Sequence, residues 1–161
     1  MSRTAEARSR EVTVAVDPGE ALFDAKDEGG RMVRMDLAGK LGKPAGRGFA
    51  ARDLLLMALA GCSGASFLTE LHRRGRVPAA VSITVRGELD TRPPVVFRKI
   101  AMHITATGTG LDEESMTAAA GACHGDCSVH ATLSQVATII TTWEVHAESN
   151  EENEITPEVR A

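Results

Sequence analysis

The chain has 161 residues, 43% of them hydrophobic and 25% charged, with a formal net charge of −4; that composition suits one soluble folded domain and excludes a mostly disordered or collagenous chain. An acidic balance argues against nucleic acid as a partner, because neutralising phosphates needs a basic surface, and four Phe, one Trp and no Tyr leave little with which to stack bases. Three cysteines, an odd number, and an opening MSRTAEARSREVTV that has charge but no apolar signal core predict reduced or reactive thiols in a cytoplasmic setting rather than a disulfide framework.

Alternation at period two predicts the first strand, with Val12, Val14 and Val16 on one face. An Asp17-Pro18-Gly19 turn then returns the chain as a hairpin partner over Ala21 to Ala25, and Gly29-Gly30 leads into a third strand from Met32 to Leu37. Arg52 to Arg74 is the longest helical candidate. Its centre, LLLMALAGCSGASFL, is apolar nearly all round, as suits a helix buried in a core or an interface. Gly61 and Gly64 each cost about 1 kcal/mol against Ala in a helix, and the expected benefit is close approach by another backbone. The longest uncharged run, Leu54 to Thr69, has 16 residues and falls short of the roughly 20 that a membrane span needs. The RRGR segment after His72 supplies a cationic helix end and a glycine stop.

Val81 to Leu89 alternates cleanly, Ile100, Met102, Ile104 and Ala106 define another strand, and Ile139, Trp143 and Val145 mark a last one. Between these lies a second helix starting near Asp112, with Met116, Ala119, Ala120 and Cys123 at helical spacing. Gly125 is expected to break it, and Asp126 to cap a new helix with Val129, Leu133 and Val136 on one face. Residues 148–161 hold five acids without apolar periodicity and read as a solvated, disordered tail after a single domain over residues 1–147. The order of strands, helix, strands, helices and strand indicates an α+β fold with antiparallel sheets.

Taken one residue at a time, Cys62 reads as a small buried hydrophobe, since burial in mid-helix raises a thiol pKa and only a cation from elsewhere would make it a nucleophile. Cys127, in the first turn of a helix capped by Asp126, reads as the better thiolate, because free amides there stabilise the charge. The segment from Cys123 to His130 packs Cys123, His124, Cys127 and His130 together. Its lone Cys-x3-Cys spacing lacks the separated ligand pair of a zinc site, so no metal is expected. No P-loop, Gly-x-Ser-x-Gly or strand-linked Gly-x-Gly-x-x-Gly occurs, and no cofactor is expected.

The joint pattern carries more. A Gly-rich loop, GKLGKPAGRG, leads into RDLLLMALAGC, and 65 residues after Cys62 comes CSVHATL at a helix start. From about Met32 to Val145 the chain resembles the OsmC/Ohr family, named for osmotically inducible protein C and organic hydroperoxide resistance, and its wording is nearer the general OsmC-like branch. That resemblance implies an intertwined homodimer with antiparallel sheets wrapped around two long central helices. It implies a peroxidase that reduces organic hydroperoxides. Cys62 would attack the peroxide and become a sulfenic acid, Cys127 would resolve it as a disulfide, and a dithiol such as a lipoyl group would reduce that bond, with neither nucleic acid nor membrane as partner. An arginine stabilising Cys62 would reverse the ranking of the two thiols drawn above, and Arg31, Arg34, Arg47 and Arg52 all lie in the region that would supply it. The acid that orients this arginine in the family commonly stands ten residues before the cysteine, where this chain has Arg52. Asp53 is the substitute, about 13 Å along the helix from Cys62, able to serve it across a dimer interface or through another residue. Cys123 is an extra thiol that could compete with Cys127. The rival expectation is a stress-associated OsmC-like dimer that binds a small molecule with little or no peroxidase activity.

Overall fold

The computed structural model describes residues 9–37 and 39–146, the side chain of Lys40 excepted, so the acidic segment from Glu148 lies outside the described residues. The chain divides into two units, Met1–Leu55 and Leu56–Ala161.

In the first unit, β1 (Val12–Asp17), β2 (Leu22–Asp27) and β3 (Met32–Asp36) form an antiparallel meander in that order. The expected hairpins are there. Asp17 accepts the Glu20 N–H in the first turn at 2.9 Å, and Gly30 takes a positive φ of 80° in the second. The valine face of β1 is solvent-exposed along its whole length. In the Gly-rich loop, Gly48 is fixed by space: a Cβ there would lie 2.8 Å from the Met35 carbonyl carbon and 2.9 Å from the Arg34 oxygen. Its absence lets Phe49 bridge to β3, with the Phe49 N–H donating to the Arg34 carbonyl at 2.9 Å.

Helix α1 (Ala51–Arg73) begins in the first unit and continues in the second. It ends as RRGR foretells: Gly75 adopts φ 69°, the Arg76 N–H reaches the Leu71 carbonyl at 2.9 Å, and the Gly75 N–H reaches that of His72 at 2.9 Å. Those two bonds are a Schellman stop. By length and hydropathy alone the helix would also qualify as a membrane span, which the count of uncharged residues did not foretell. Its buried positions are Leu59, Ser63, Phe67 and Leu71, a single stripe at i+4 spacing of the kind that packs one helix face into a core.

The second unit adds β4 (Ala80–Leu89), β5 (Phe97–Thr107), α2 (Glu113–Gly125), α3 (Ser128–Leu133) and β6 (Thr138–His146), with the sheet in the order β4-β5-β6. β4 and β5 are antiparallel, as expected, but β6 runs parallel to β5. The expectation of purely antiparallel sheets therefore fails at this pair. The physical reason is the connection: α2 and α3 carry the chain back across the sheet, which is the crossover a parallel neighbour requires. The alternation of β4 is realised as Val81, Ile83 and Val85 half-buried against exposed Ser82, Thr84 and Arg86. Phe67 and Leu71 of α1 pack with Met102, Ile104 and Ala106 of β5 and with Met116, Ala119 and Cys123 of α2. Each large member contributes about 1.5–3 kcal/mol by leaving water. A second cluster of Leu59, Phe97, Ile100, Leu133 and Ala137 flanks it. Gly64 is approached not by a backbone, as expected, but by a side chain, with the Ile83 Cδ1 3.0 Å from where its Cβ would stand.

Candidate active site

Three elements of the second unit bring the thiols together. α1 offers Cys62 and Ser63, the last turn of α2 offers Cys123, and the start of α3 offers Cys127. Asp126 does not cap α3. Because α2 runs on through Gly125, Asp126 is spent as its C-cap, its N–H bonding to the Ala122 carbonyl at 2.9 Å. Cys127 is itself the N-cap of α3, in extended backbone, and its sulfur accepts the His130 N–H at 3.2 Å. The buried Ser63 hydroxyl donates to the same sulfur at 3.6 Å.

Cys62 is half-buried, and burial opposes its ionisation. Hydrogen bonds from the Cys127 thiol, the Val129 N–H and the hydroxyl and N–H of Ser128 outweigh that penalty and hold the Cys62 thiol below its ordinary value. Cys127 moves the other way. Burial raises it first, and donating its proton toward Cys62 raises it further. Both shifts run opposite to the ranking read from the residues singly, which had Cys127 as the better thiolate and Cys62 as inert. The amides at the start of α3 do stabilise a thiolate, but those of Val129 and Ser128 favour the charge on the Cys62 sulfur.

Cys123 is fully buried, and burial, then the charges of Cys127 and Cys62, push its thiol up to about 11. Its sulfur donates to the Ser63 carbonyl at 3.3 Å and to that of Ala119 at 3.6 Å. Beside it the His124 and His130 rings stack at 4.6 Å. His124 Nε2 bonds to the Thr141 hydroxyl at 3.0 Å. Burial, then the neighbouring His124, hold the His130 ring below its usual pKa. Among the described residues no three His, Cys, Asp or Glu side chains are grouped to hold a metal ion.

The four candidate arginines all belong to the first unit. Arg34 is held bidentately by Asp24 at 2.7 and 2.8 Å, Arg31 by Asp27 at 2.7 Å and Arg47 by Glu20 at 2.7 Å. Arg52 is exposed in the first turn of α1 and makes no ion pair among the described residues. Asp53, also exposed, stands beside it, nine residues ahead of Cys62. The two residues that sequence reasoning passed over are Ser63 and Ser128. The only signal for either was a small polar residue directly after a cysteine.

The family profile for OsmC-like protein matches residues 43–142, which include Cys62, Cys123 and Cys127. No curated protein matches the chain. Among solved structures, a hypothetical protein from Aquifex aeolicus VF5 is similar with a TM-score of 0.76 at 22% identity, over 89% of this chain and all of that one. An OsmC-like protein from Mycoplasma pneumoniae is similar with a TM-score of 0.72 at 18% identity, over 89% of this chain and all of that one. An organic hydroperoxide resistance protein OsmC from Legionella pneumophila gives 0.67 at 16% identity, over 88% of this chain and all of that one.

Proposed function

The chain belongs to the OsmC-like family, and from that premise we propose that it is a thiol-dependent peroxidase acting on organic hydroperoxides in a cytoplasmic setting. One observation carries the reading: α1 and the start of α3 bring Cys62 and Cys127 to one place, with the hydroxyl of Ser63, next to Cys62, 3.6 Å from the Cys127 sulfur, and the hydrogen bond from the Cys127 thiol helps to hold Cys62 below its ordinary value. The Cys62 thiolate attacks the distal oxygen of the hydroperoxide. A sulfur–oxygen bond forms, the oxygen–oxygen bond breaks, and the alkoxide leaves as alcohol with a proton, so that sulfur is oxidised and peroxide reduced. The Cys127 sulfur then attacks the sulfenic acid, expelling water and closing a Cys62–Cys127 disulfide. An external dithiol of the lipoyl type reduces that disulfide. The apolar residues about this part of α1, Leu59 and Leu56 among them, favour an alkyl substituent over a hydroxyl-sized one.

The test is a single-turnover mixing of reduced protein with tert-butyl hydroperoxide and, separately, with hydrogen peroxide. The organic peroxide is expected to consume two thiols per chain, and faster than hydrogen peroxide does. Loss of no thiol to either would replace this reading with its rival, a small-molecule-binding dimer without peroxidase activity.

The working form in this reading is a homodimer. Met57 and Leu68 of α1 remain exposed, and Gly61 has no atom within 4 Å of where a Cβ would sit, which leaves room for a second copy of the helix. Sedimentation at micromolar concentration is expected to give twice the 17.0 kDa chain mass. A stable folded monomer would refute the dimer.

A further inference from the structure

The chemistry just described uses two of three clustered thiols. The third, Cys123, has its sulfur 3.3 Å from the Ser63 carbonyl, while the hydroxyl of that same serine lies 3.6 Å from the Cys127 sulfur. Both sulfurs thus converge on the residue that follows Cys62. The backbone also brings them close. Helical backbone runs from Cys123 through Asp126, which sets residues four apart at about 6 Å between Cα atoms, inside the span of roughly 4.4–6.8 Å that disulfides tolerate. Their Cβ atoms would be about 5–6 Å apart in an unbroken helix, somewhat wide for a disulfide. The break between α2 and α3 falls between the two cysteines, where a small adjustment is least costly.

We propose that Cys123 is the final holder of the disulfide: its thiolate displaces Cys62 from Cys127, moving the bond to Cys123–Cys127 and returning Cys62 as a free thiolate. The proposal rests on the peroxidase reading for how the first disulfide arises. The step balances without another reagent. The Cys123 sulfur gives an electron pair to the Cys127 sulfur, the Cys62–Cys127 bond breaks with its pair on Cys62, and solvent takes the Cys123 proton. Its direction follows from the leaving groups. The sulfur that carries charge best leaves fastest, and a more basic thiolate is the stronger nucleophile; Cys62 is the former and Cys123 the latter. Burial, the first cause that raises the Cys123 thiol, persists when Cys62 and Cys127 are joined, so few Cys123 thiols are ionised near neutral pH and the step quickens with pH. An attacking group already held beside its target offsets part of that handicap. The result is a chain that stores one oxidation as Cys123–Cys127 and meets a second hydroperoxide with Cys62 before any reductant arrives.

The test uses the full chain, as wild type, Cys123→Ala and, should the smaller residue loosen the core, Cys123→Ser. Reduced protein receives one equivalent of tert-butyl hydroperoxide, is quenched at intervals with acid, alkylated with a maleimide, and mapped by peptide mass spectrometry. In wild type, Cys62–Cys127 is expected first and then to give way to Cys123–Cys127 with Cys62 alkylated, about tenfold faster for each pH unit between 7 and 9 as the thiolate fraction grows. A second equivalent of hydroperoxide is consumed without reductant by wild type and not by the Cys123 variants. Persistence of Cys62–Cys127, with Cys123 alkylated at every pH, overturns the proposal and leaves the peroxidase reading intact. If hydroperoxide oxidises no thiol, the peroxidase reading is what fails. Diamide then makes the disulfide without peroxide chemistry, and the same timed maps decide: Cys62–Cys127 giving way to Cys123–Cys127 supports the transfer, and Cys123 remaining a thiol, or pairing with Cys127 with no earlier Cys62–Cys127, overturns it.

Discussion

Cys62→Ser is expected to abolish the first oxidation step, and Cys127→Ser to preserve it. A serine hydroxyl in place of the Cys62 thiol stays protonated and displaces no peroxide oxygen at a useful rate, so stopped-flow mixing with tert-butyl hydroperoxide should show loss of the fast phase altogether. In Cys127→Ser the attack still occurs once per chain, though slowed, because the hydrogen bond from the Cys127 thiol is one of those that lower the Cys62 pKa. What is lost is resolution. Cys62 is left as a sulfenic acid that excess peroxide drives to sulfinic acid, visible as a gain of two oxygens on the Cys62 peptide, and turnover with a dithiol falls while the first phase survives. Cys123→Ser should leave the first phase unchanged, since in the proposed sequence Cys123 enters only after the disulfide has formed. The reverse result, with Cys127→Ser losing the first phase and Cys62→Ser keeping it, would return the nucleophile to the helix terminus where single-residue reasoning put it.

Much of the fold was legible because local physics dictates it. Alternation, and for β2 the turn before it, placed the described strands to within a few residues. Asp112 was readable as a helix start, and Ser115 completes the cap reciprocally, its N–H donating to Asp112 at 2.7 Å and its hydroxyl accepting the Asp112 N–H at 3.2 Å. The RRGR stop was equally local. The parallel pairing of β6 was not legible, because strand direction is set by how α2 and α3 lie across the sheet and not by any property of Thr138 to His146.

The candidate site divides in the same way. The small residues around Cys62 were plain in the sequence, but the groups that lower its pKa stand 65 to 67 positions later, at Cys127, Ser128 and Val129. No local rule connects them. The same local reasoning put Asp126 at the head of α3, since Asp is a good N-cap and Cys is not a usual one. It lost to the length of α2, which extends one residue further than the Gly125 break implied and leaves the cap to Cys127. The apolar face of β1 shows the opposite limit: Val12, Val14 and Val16 share a face as expected, yet all three are exposed in the single chain. Shared facing was readable there; what covers the face was not.

The order in which the three thiols ionise is the largest remaining contrast and the one on which the mechanism turns. Cys62 is held below the ordinary thiol value, Cys127 is raised by burial and by its bond to Cys62, and Cys123 is pushed up to about 11. A thiol with a lowered pKa is ionised above that pKa, so the rate of attack on peroxide should fall only when pH drops below the Cys62 value, and not at the 8.5 or so of a free cysteine. The direct measurement is competitive alkylation of the reduced protein by iodoacetamide across pH 5 to 11, each cysteine followed on its own peptide. The expected result is Cys62 reacting at the lowest pH, half-titrated below the free-thiol value, with Cys127 and Cys123 later. Cys127 titrating before Cys62, or Cys62 titrating at or above the free-thiol value, would contradict the assignment of Cys62 as the attacking thiolate.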